Sequence, residues 1–234
     1  MTDRGTRTLV VKRIHEEARE IRAFDVLPEG AARRHDIAFA PGQVAVLRVR
    51  GERPAHFAFA SAPEDEELEF LVKRTDDPAS RAFYGLSEGG RVELLEVAGH
   101  GFDLGALRGR DLVFVAMGTG VAPLRSALRS ALRRPDDFGQ IVVLYGARTP
   151  DDFCYRGETD SWKAAGVELR QVVSRPDGYE WAGQTGYVQS LLDNVLPNLS
   201  SPTALVCGSR EMIAQTRDRL QQMGFDPEHI LTNY

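Results

Sequence analysis

The sequence has few cysteines, few histidines and no long hydrophobic segment. Its two cysteines, Cys154 and Cys207, form no Cys-x-x-Cys pair and the five histidines are scattered, so we expect no zinc site, iron–sulfur cluster or disulfide framework. The longest apolar run, residues 112–117, falls far short of the ~20 residues of a membrane-spanning helix. The first residues lack a long apolar segment with a cleavage site, so we expect no signal peptide and a cytoplasmic protein.

The charged residues are also unevenly chosen. Lys and Arg total 29 against 34 Asp and Glu, and the resulting net charge of −5 does not indicate nucleic-acid binding. Only Lys12, Lys73 and Lys163 are lysines. Codon usage can explain this bias, and the alternative is a need for planar guanidinium groups that suit phosphates. The 234 residues are enough for one large or two small globular domains.

The first hundred residues have the pattern of an antiparallel β domain. Short segments rich in Val, Leu and Phe, separated by Pro, Gly and Asp turns, predict six strands at residues 8–13, 20–26, 43–49, 56–61, 68–73 and 91–97. One helix is expected at residues 79–86. Strands with this spacing favour a six-stranded antiparallel barrel of the Greek-key type.

The pattern changes near residues 105–110. Residues 111–117 form a nearly continuous apolar run, which is typical of a strand buried on both faces. Strands at 141–145, 167–173, 204–207 and 230–233 then alternate with helices at 123–134, 159–165, 188–195 and 211–223. This alternation predicts a doubly wound α/β domain with a parallel sheet. We therefore expect a β-barrel domain at 1–107 and an α/β domain at 108–234.

Two glycine-containing turns follow predicted strands of the α/β domain. The sequence Gly118-Thr119-Gly120-Val121-Ala122-Pro123 lies between the first strand and its helix, where small residues and free N–H groups can admit a pyrophosphate. Cys207-Gly208 ends a later strand, and Ser209 is a suitable N-cap for the helix after it. Such turns also occur for steric reasons alone, and the spacing is not that of the GxGxxG motif.

The order of these motifs resembles the ferredoxin–NADP⁺ reductase superfamily of flavin-dependent reductases. A six-stranded β region is followed by GTGVAP (118–123), YGAR (145–148), SRPDG (174–178), GYVQ (186–189) and CGS (207–209), and the sequence ends in Tyr234. The resemblance covers nearly the whole chain. It implies a barrel that binds FAD, a second domain that binds NAD(P)H at Gly118–Pro123 and Cys207–Gly208, and hydride transfer from the nicotinamide to the flavin.

The resemblance also implies individual flavin-binding residues. Relatives carry Arg-x-Tyr-Ser in the fourth strand, where this chain has Ala55, Phe57 and Ala58, so Arg53 is the substitute candidate for the pyrophosphate. We expect Phe57 and Phe59 to point to opposite faces of the strand, with one of them in the barrel core. The further candidates for flavin contacts are Ser61, Val72, Ser80 and Arg81, the last two at a phosphate-binding helix that Ser80 is expected to cap.

The resemblance also implies residues that bind the phosphate of NADP and residues that take part in catalysis. Ser174, Arg175 and Tyr187 match residues that hold the 2′-phosphate of NADP in relatives, although Pro176 onward also fits a plain turn. The candidate catalytic residues are Cys207 and Tyr234. The small Cys207 thiol is expected at a strand tip that faces the site formed with Gly118–Gly120, and a C-terminal tyrosine stacks over the flavin in plant-type relatives.

The sequence thus predicts an NAD(P)H-dependent FAD oxidoreductase. The electrons would pass to a separate electron-acceptor protein or a small acceptor, since the chain has no cysteine cluster of its own. Because the Arg-x-Tyr-Ser motif is altered and Asp77 stands where relatives carry the glycine of the phosphate-binding segment, an alternative is a regulatory or partner-binding module that keeps the fold without turnover. A third is a reductase that works only within a complex.

Overall fold

Alternating apolar residues in the first half of the chain produce a closed antiparallel sheet. A computed structural model describes residues 6–33 and 37–233. The strands are β1 (Arg7–Ala18), β2 (Ile21–Pro28), β3 (Val44–Arg48), β4 (Ala55–Ala58), β5 (Leu68–Lys73) and β6 (Arg91–Ala98). They pair in the order β4-β3-β6-β1-β2-β5, and a bridge between Phe59 and Phe70 joins the two edges into a barrel. Helix α1 (Pro78–Tyr84) packs on the barrel through the buried Phe83.

The second half forms a parallel sheet flanked by helices. Its strands are β7 (Asp111–Met117), β8 (Ile141–Ala147), β9 (Glu168–Val173), β10 (Gln184–Thr185), β11 (Pro202–Cys207) and β12 (Ile230–Leu231). The helices are α2 (Val121–Leu132), α3 (Thr159–Ala164), α4 (Leu192–Val195) and α5 (Arg210–Gln222). The sheet order is β10-β9-β8-β7-β11-β12, so the chain reverses its direction of winding between β7 and β11. Ligands of such sheets bind at this switch point.

These two sheets confirm the predicted fold class, and the differences are local. The helix expected at 188–195 is a 3₁₀ segment, Val188–Leu191, followed by the single turn of α4, because Pro197 lies directly after it. Strand β10 is two residues long and has no apolar alternation that could have indicated it. No helix in the described part of the chain is long and apolar enough to cross a membrane.

The outer face of the barrel packs against the α/β half. On β5 the side chains of Leu68, Phe70 and Val72 point into the barrel core, while Glu69 and Leu71 point outward. Leu71 joins one continuous apolar cluster with residues of the second sheet such as Phe114. The two halves therefore share a buried interface, and the carboxyl ends of β7 and β11 lie beside it.

Candidate functional site

The turn after β7 has one open side. Gly118 has a φ of +54°, and a Cβ added to it would meet no atom within 4 Å. Its carbonyl oxygen accepts a hydrogen bond from the Tyr145 hydroxyl at 3.1 Å. Residues Gly118–Gly120 form a short 3₁₀ turn that continues directly into α2. The turn thus leads into α2 where the sequence predicted a phosphate, but the Val121 N–H bonds back to the carbonyl oxygens of Gly118 and Thr119, and Pro123 has no N–H.

The structure brings this turn against the tip of β11, as the sequence predicted. A Cβ at Gly120 would lie 2.4 Å from the Cys207 carbonyl oxygen and 2.8 Å from the Gly208 nitrogen. Gly120 is therefore required for the packing of two strand tips, a reason that the sequence did not indicate. Val121 and Pro123 are buried, so only their backbone could meet a nucleotide, whereas Thr119 is half-buried.

Cys207 lies at this tip as a buried thiol. Its Sγ donates a hydrogen bond to Asn233 Oδ1 at 3.2 Å, and burial raises its pKa to about 12. The Asn233 Nδ2 donates to the Gly42 carbonyl oxygen of the barrel at 3.0 Å, and the Asn233 carbonyl oxygen accepts from Gly101 N. Asn233 thus ties the tip of β11 to two barrel turns. Tyr234, the other predicted catalytic residue, lies outside the described residues.

Phe57 and Phe59 do not lie on opposite faces, and that prediction is wrong. The two residues are separated by one position, so they share a strand face, and both contact the barrel core cluster. Phe59 is fully buried and stacks on Phe39 with 4.0 Å between ring centroids, so its side chain cannot contact a flavin. Phe57 is half-buried and meets Phe83 edge-on, while the half-buried Ala58 packs on the cluster between the two halves.

Two other predicted flavin contacts, Ser61 and Val72, have side chains that already make contacts within the barrel. Ser61 is buried, and its Oγ accepts a hydrogen bond from Glu69 N. The Val72 side chain is in the barrel core, which leaves only its backbone for a ligand.

Ser80 does not cap α1, because Asp77 does. The Ser80 hydroxyl instead donates to the Lys73 carbonyl oxygen, so its proton is not directed at a phosphate. Arg53 and Arg81, by contrast, are exposed.

The residues predicted for the adenosine phosphate are brought together further along the same carboxyl edge of the parallel sheet, at the end of β9. Ser174 and Arg175 follow the end of β9, and Gly186 N donates to the Val173 carbonyl oxygen at 2.9 Å, which places Tyr187 beside them. Arg175 is exposed and Tyr187 is 70% exposed. An exposed aromatic ring and an exposed guanidinium at one edge suit an adenine with a phosphate.

A buried ionic network between the halves was not predicted. Arg125 of α2 is 5% exposed and donates to Glu69 Oε2 at 3.0 Å, to the Ala60 carbonyl oxygen at 2.8 Å and to Glu158. The Arg125 guanidinium lies over the Tyr155 ring at 4.2 Å, and the Tyr155 hydroxyl donates to Glu69 Oε1 at 2.8 Å. Burial raises the pKa of Glu69 although Arg125 opposes this shift.

Tyr155 is held in this network by its backbone as well. It is a non-glycine residue at a φ of +58°, and its N–H donates to Glu17 Oε2 at 2.6 Å. An unfavourable backbone conformation of this kind persists only where surrounding contacts hold it. The segment around Tyr155 is therefore fixed to the barrel at three points: its N–H, its hydroxyl and, through Arg125, its ring.

The arrangement fits a dinucleotide and, less completely, a flavin. The open side of Gly118 and the contact between Gly120 and the tip of β11 form a narrow backbone surface at the switch point. On the barrel, the half-buried Phe57 ring contacts Phe83, which lies two residues after the exposed Arg81. A half-buried aromatic ring on the barrel suits an isoalloxazine, although the predicted serine contacts do not contribute.

Comparison with known proteins gives one family model and several relatives. The model described as "Oxidoreductase NAD-binding domain" matches residues 114–218. The chain is 29% identical to the fruit protein pKIWI502 of Actinidia deliciosa, over 82% of this chain and 65% of that protein. It is also 29% identical to ferredoxin–NADP reductase B of Sorangium cellulosum, over 77% of each chain. The chain thus spans about two thirds to three quarters of the length of these relatives.

Solved structures agree on the fold. A ferredoxin–NADP⁺ reductase from Neisseria gonorrhoeae, described with bound FAD and NADP, superposes with a TM-score of 0.81 at 19% identity, covering 97% of each chain. The motif order, the two sheets and these relatives point the same way. Residues 114–218 thus match an oxidoreductase NAD-binding domain, and most of the chain is similar in sequence to a ferredoxin–NADP reductase and in fold to a solved ferredoxin–NADP⁺ reductase.

Proposed function

We propose that the chain is a reductase that takes electrons from NAD(P)H through FAD to a separate redox protein. The observation that carries this proposal is the contact of the Gly118–Gly120 turn with the tip of β11, which Asn233 ties to the barrel. A nucleotide at the switch point would then lie at the cleft where the barrel begins. Bound FAD would supply a two-electron acceptor that can release electrons one at a time.

The nucleotide site that we propose uses both backbone and side chains. Residues Gly118–Gly120 would hold the pyrophosphate at the N-terminal end of α2, since the dipole of a helix favours an anion there. Arg175 and Tyr187 would hold the adenosine end, and a guanidinium there would favour NADPH over NADH. The exposed position of both side chains supports this assignment.

The flavin site that we propose is smaller than the sequence prediction. Phe57 would provide the ring face, Ala58 and the backbone at Val72 would border the isoalloxazine, and Arg53 and Arg81 would meet the pyrophosphate. We leave out the side chains of Phe59, Ser61 and Ser80, because each is buried in the barrel or bonded to it.

Cys207 would line the reaction site as a neutral thiol. Its proton is directed to Asn233, so its sulfur lone pairs rather than its S–H would face a ligand. A buried thiol at the strand tip would help to exclude water while it leaves room for a flat ring. We place the boundary between the two domains at residues 107 and 108, in the connection between β6 and β7.

The electron acceptor is the part of the proposal that rests on the relatives. One of them is named a ferredoxin–NADP reductase, and a solved relative is named a ferredoxin reductase of carbazole 1,9a-dioxygenase. We propose a small one-electron protein of the ferredoxin or cytochrome class as the acceptor.

Cofactor extraction followed by anaerobic reduction tests the proposal. Denatured protein should release FAD, identified by its mass, and NADPH should bleach the flavin absorbance of the native protein faster than NADH does. Reduced protein should then pass electrons to ferredoxin or cytochrome c. Release of no flavin, together with no spectral change on adding FAD, would instead support a module that keeps the fold without turnover.

A further inference from the structure

The hydroxyl of Tyr145 joins two segments that are distant in sequence. Tyr145 lies in β8 and is 1% exposed. Its hydroxyl donates to the Gly118 carbonyl oxygen at 3.1 Å and accepts from Cys154 N at 3.2 Å. Its ring packs edge-on against Phe153, with 5.0 Å between centroids and 74° between the ring planes. One buried hydroxyl thus connects the Gly118–Gly120 turn to residues 153–155.

These two segments are held in different ways. Gly118 has a positive φ, and the short 3₁₀ turn has no side-chain cap. Residues 153–155 contain Tyr155, whose N–H and hydroxyl are bonded to Glu17 and Glu69 of the barrel. The Tyr145 hydroxyl is therefore the contact through which a segment fixed on the barrel supports the turn.

We propose that Tyr145 is a positioning residue for the nicotinamide nucleotide, which it does not touch: its hydroxyl holds the Gly118 peptide in the orientation that the nucleotide requires. This inference rests on the proposed function. The hydrogen-bond directions need a protonated phenol, and burial raises the pKa of Tyr145 well above its usual value, so the phenol stays protonated. Displacement of a binding turn weakens the binding of its ligand even where every residue that contacts the ligand is kept.

A second buried tyrosine provides a matched control. The Tyr155 hydroxyl is also buried and also hydrogen-bonded, but its partner is Glu69 rather than the turn. Tyr145→Phe and Tyr155→Phe each remove one oxygen atom from the core. Only the first removes a contact with Gly118, while Tyr155→Phe keeps the bond from the Tyr155 N–H to Glu17 that holds the segment on the barrel. A general loss of stability should therefore appear in both variants and a loss of nucleotide affinity in one.

The experiment measures NADP⁺ and NAD⁺ binding by calorimetry on the full chain with its flavin bound. Tyr145→Phe should lower the affinity for the preferred nucleotide about three- to tenfold, the range expected for the loss of one net hydrogen bond. Tyr155→Phe should stay within about twofold of wild type. Deuterium uptake of a peptide covering residues 153–155 should rise in Tyr145→Phe, because Cys154 N loses its acceptor.

Two results would overturn the inference while the proposed function stands. One is an unchanged dissociation constant in Tyr145→Phe while wild type binds the nucleotide. The other is an equal loss of affinity in both variants, which would reduce Tyr145 to a general core residue. If wild type binds neither NADP⁺ nor NAD⁺, the proposed function fails, and this inference fails with it.

Discussion

Gly120→Ala should separate the tips of β7 and β11. The added Cβ would lie 2.4 Å from the Cys207 carbonyl oxygen and 2.6 Å from its carbonyl carbon. Ordinary van der Waals contact requires about 3.5 Å, so the backbone atoms must move apart by roughly 1 Å. Both atoms are backbone atoms at the end of β11, which is paired on both sides in the parallel sheet, so no flexible side chain can absorb the overlap.

The cost follows from the size of that movement. Overpacking of a tight interior typically costs about 1–3 kcal/mol, and we expect the upper half of this range because backbone must move. For a chain of this size that lowers Tm by about 4–12 °C. A displacement near 1 Å at the nucleotide turn should also lower kcat/KM for NAD(P)H, by as much as about 100-fold.

Gly208→Ala is the matched control, because its overlap is with a flexible group. A Cβ there would lie 2.2 Å from the terminal Cε of Met212, which can rotate away. We expect a loss of under about 1 kcal/mol. Thermal unfolding followed by far-UV circular dichroism compares the two variants. A Gly208→Ala variant as unstable as Gly120→Ala would refute the backbone-overlap argument.

Three further outcomes are expected. Arg175→Ala should weaken NADPH binding about 10–150-fold and leave NADH nearly unchanged, as steady-state KM values will show, because it removes a charge-assisted contact. Asp65 accepts hydrogen bonds from Arg129, Arg133 and the Ala62 N–H. These bonds lower its pKa although burial alone would raise it, so the stability that Asp65 contributes should disappear as the pH falls below about 4. Asp65→Asn should remove that acid dependence in pH-resolved melting curves, whereas Glu66→Gln, at an exposed pair, should not. Cys207 should resist iodoacetamide from pH 7 to 10 in mass spectra of the native protein, since its pKa is about 12, and rapid labelling at pH 8 would contradict the buried-thiol geometry.

The fold could be predicted because its signals are local. Period-two alternation gave the barrel strands, and continuous apolar runs such as residues 111–117 gave the parallel ones. The glycine turns were found for the same reason, since strand–turn–helix order alone places Gly118 and Gly208 at one sheet edge. The error on Phe57 and Phe59 came from misapplying this same alternation, because residues two apart share a face.

The contacts of the site depend on partners that are distant in sequence. Asn233 bonds Gly42, 191 positions earlier, and no local pattern marks it. The sequence predicts Ser80 as the cap of α1, but Asp77 caps this helix. The Ser80 hydroxyl instead donates a hydrogen bond to the Lys73 carbonyl oxygen. Arg125 lies in the middle of a helix where an arginine is normally solvated, and only the fold places Glu69 and Glu158 around it.

The arginines at the interface also bear on the scarcity of lysine. Arg125 makes hydrogen bonds in three directions from one planar group, and Arg129 binds both carboxylate oxygens of Asp65. A lysine ammonium cannot reproduce either geometry. At this interface guanidinium groups thus bind carboxylates rather than the phosphates that the composition suggested. Separating the partners of a buried ion pair leaves uncompensated charges and is strongly destabilising, so partial opening of the interface has a high free-energy cost. The hydride transfer that we propose would require reacting atoms about 3–3.5 Å apart, and an interface that resists opening would keep the two halves at a fixed separation.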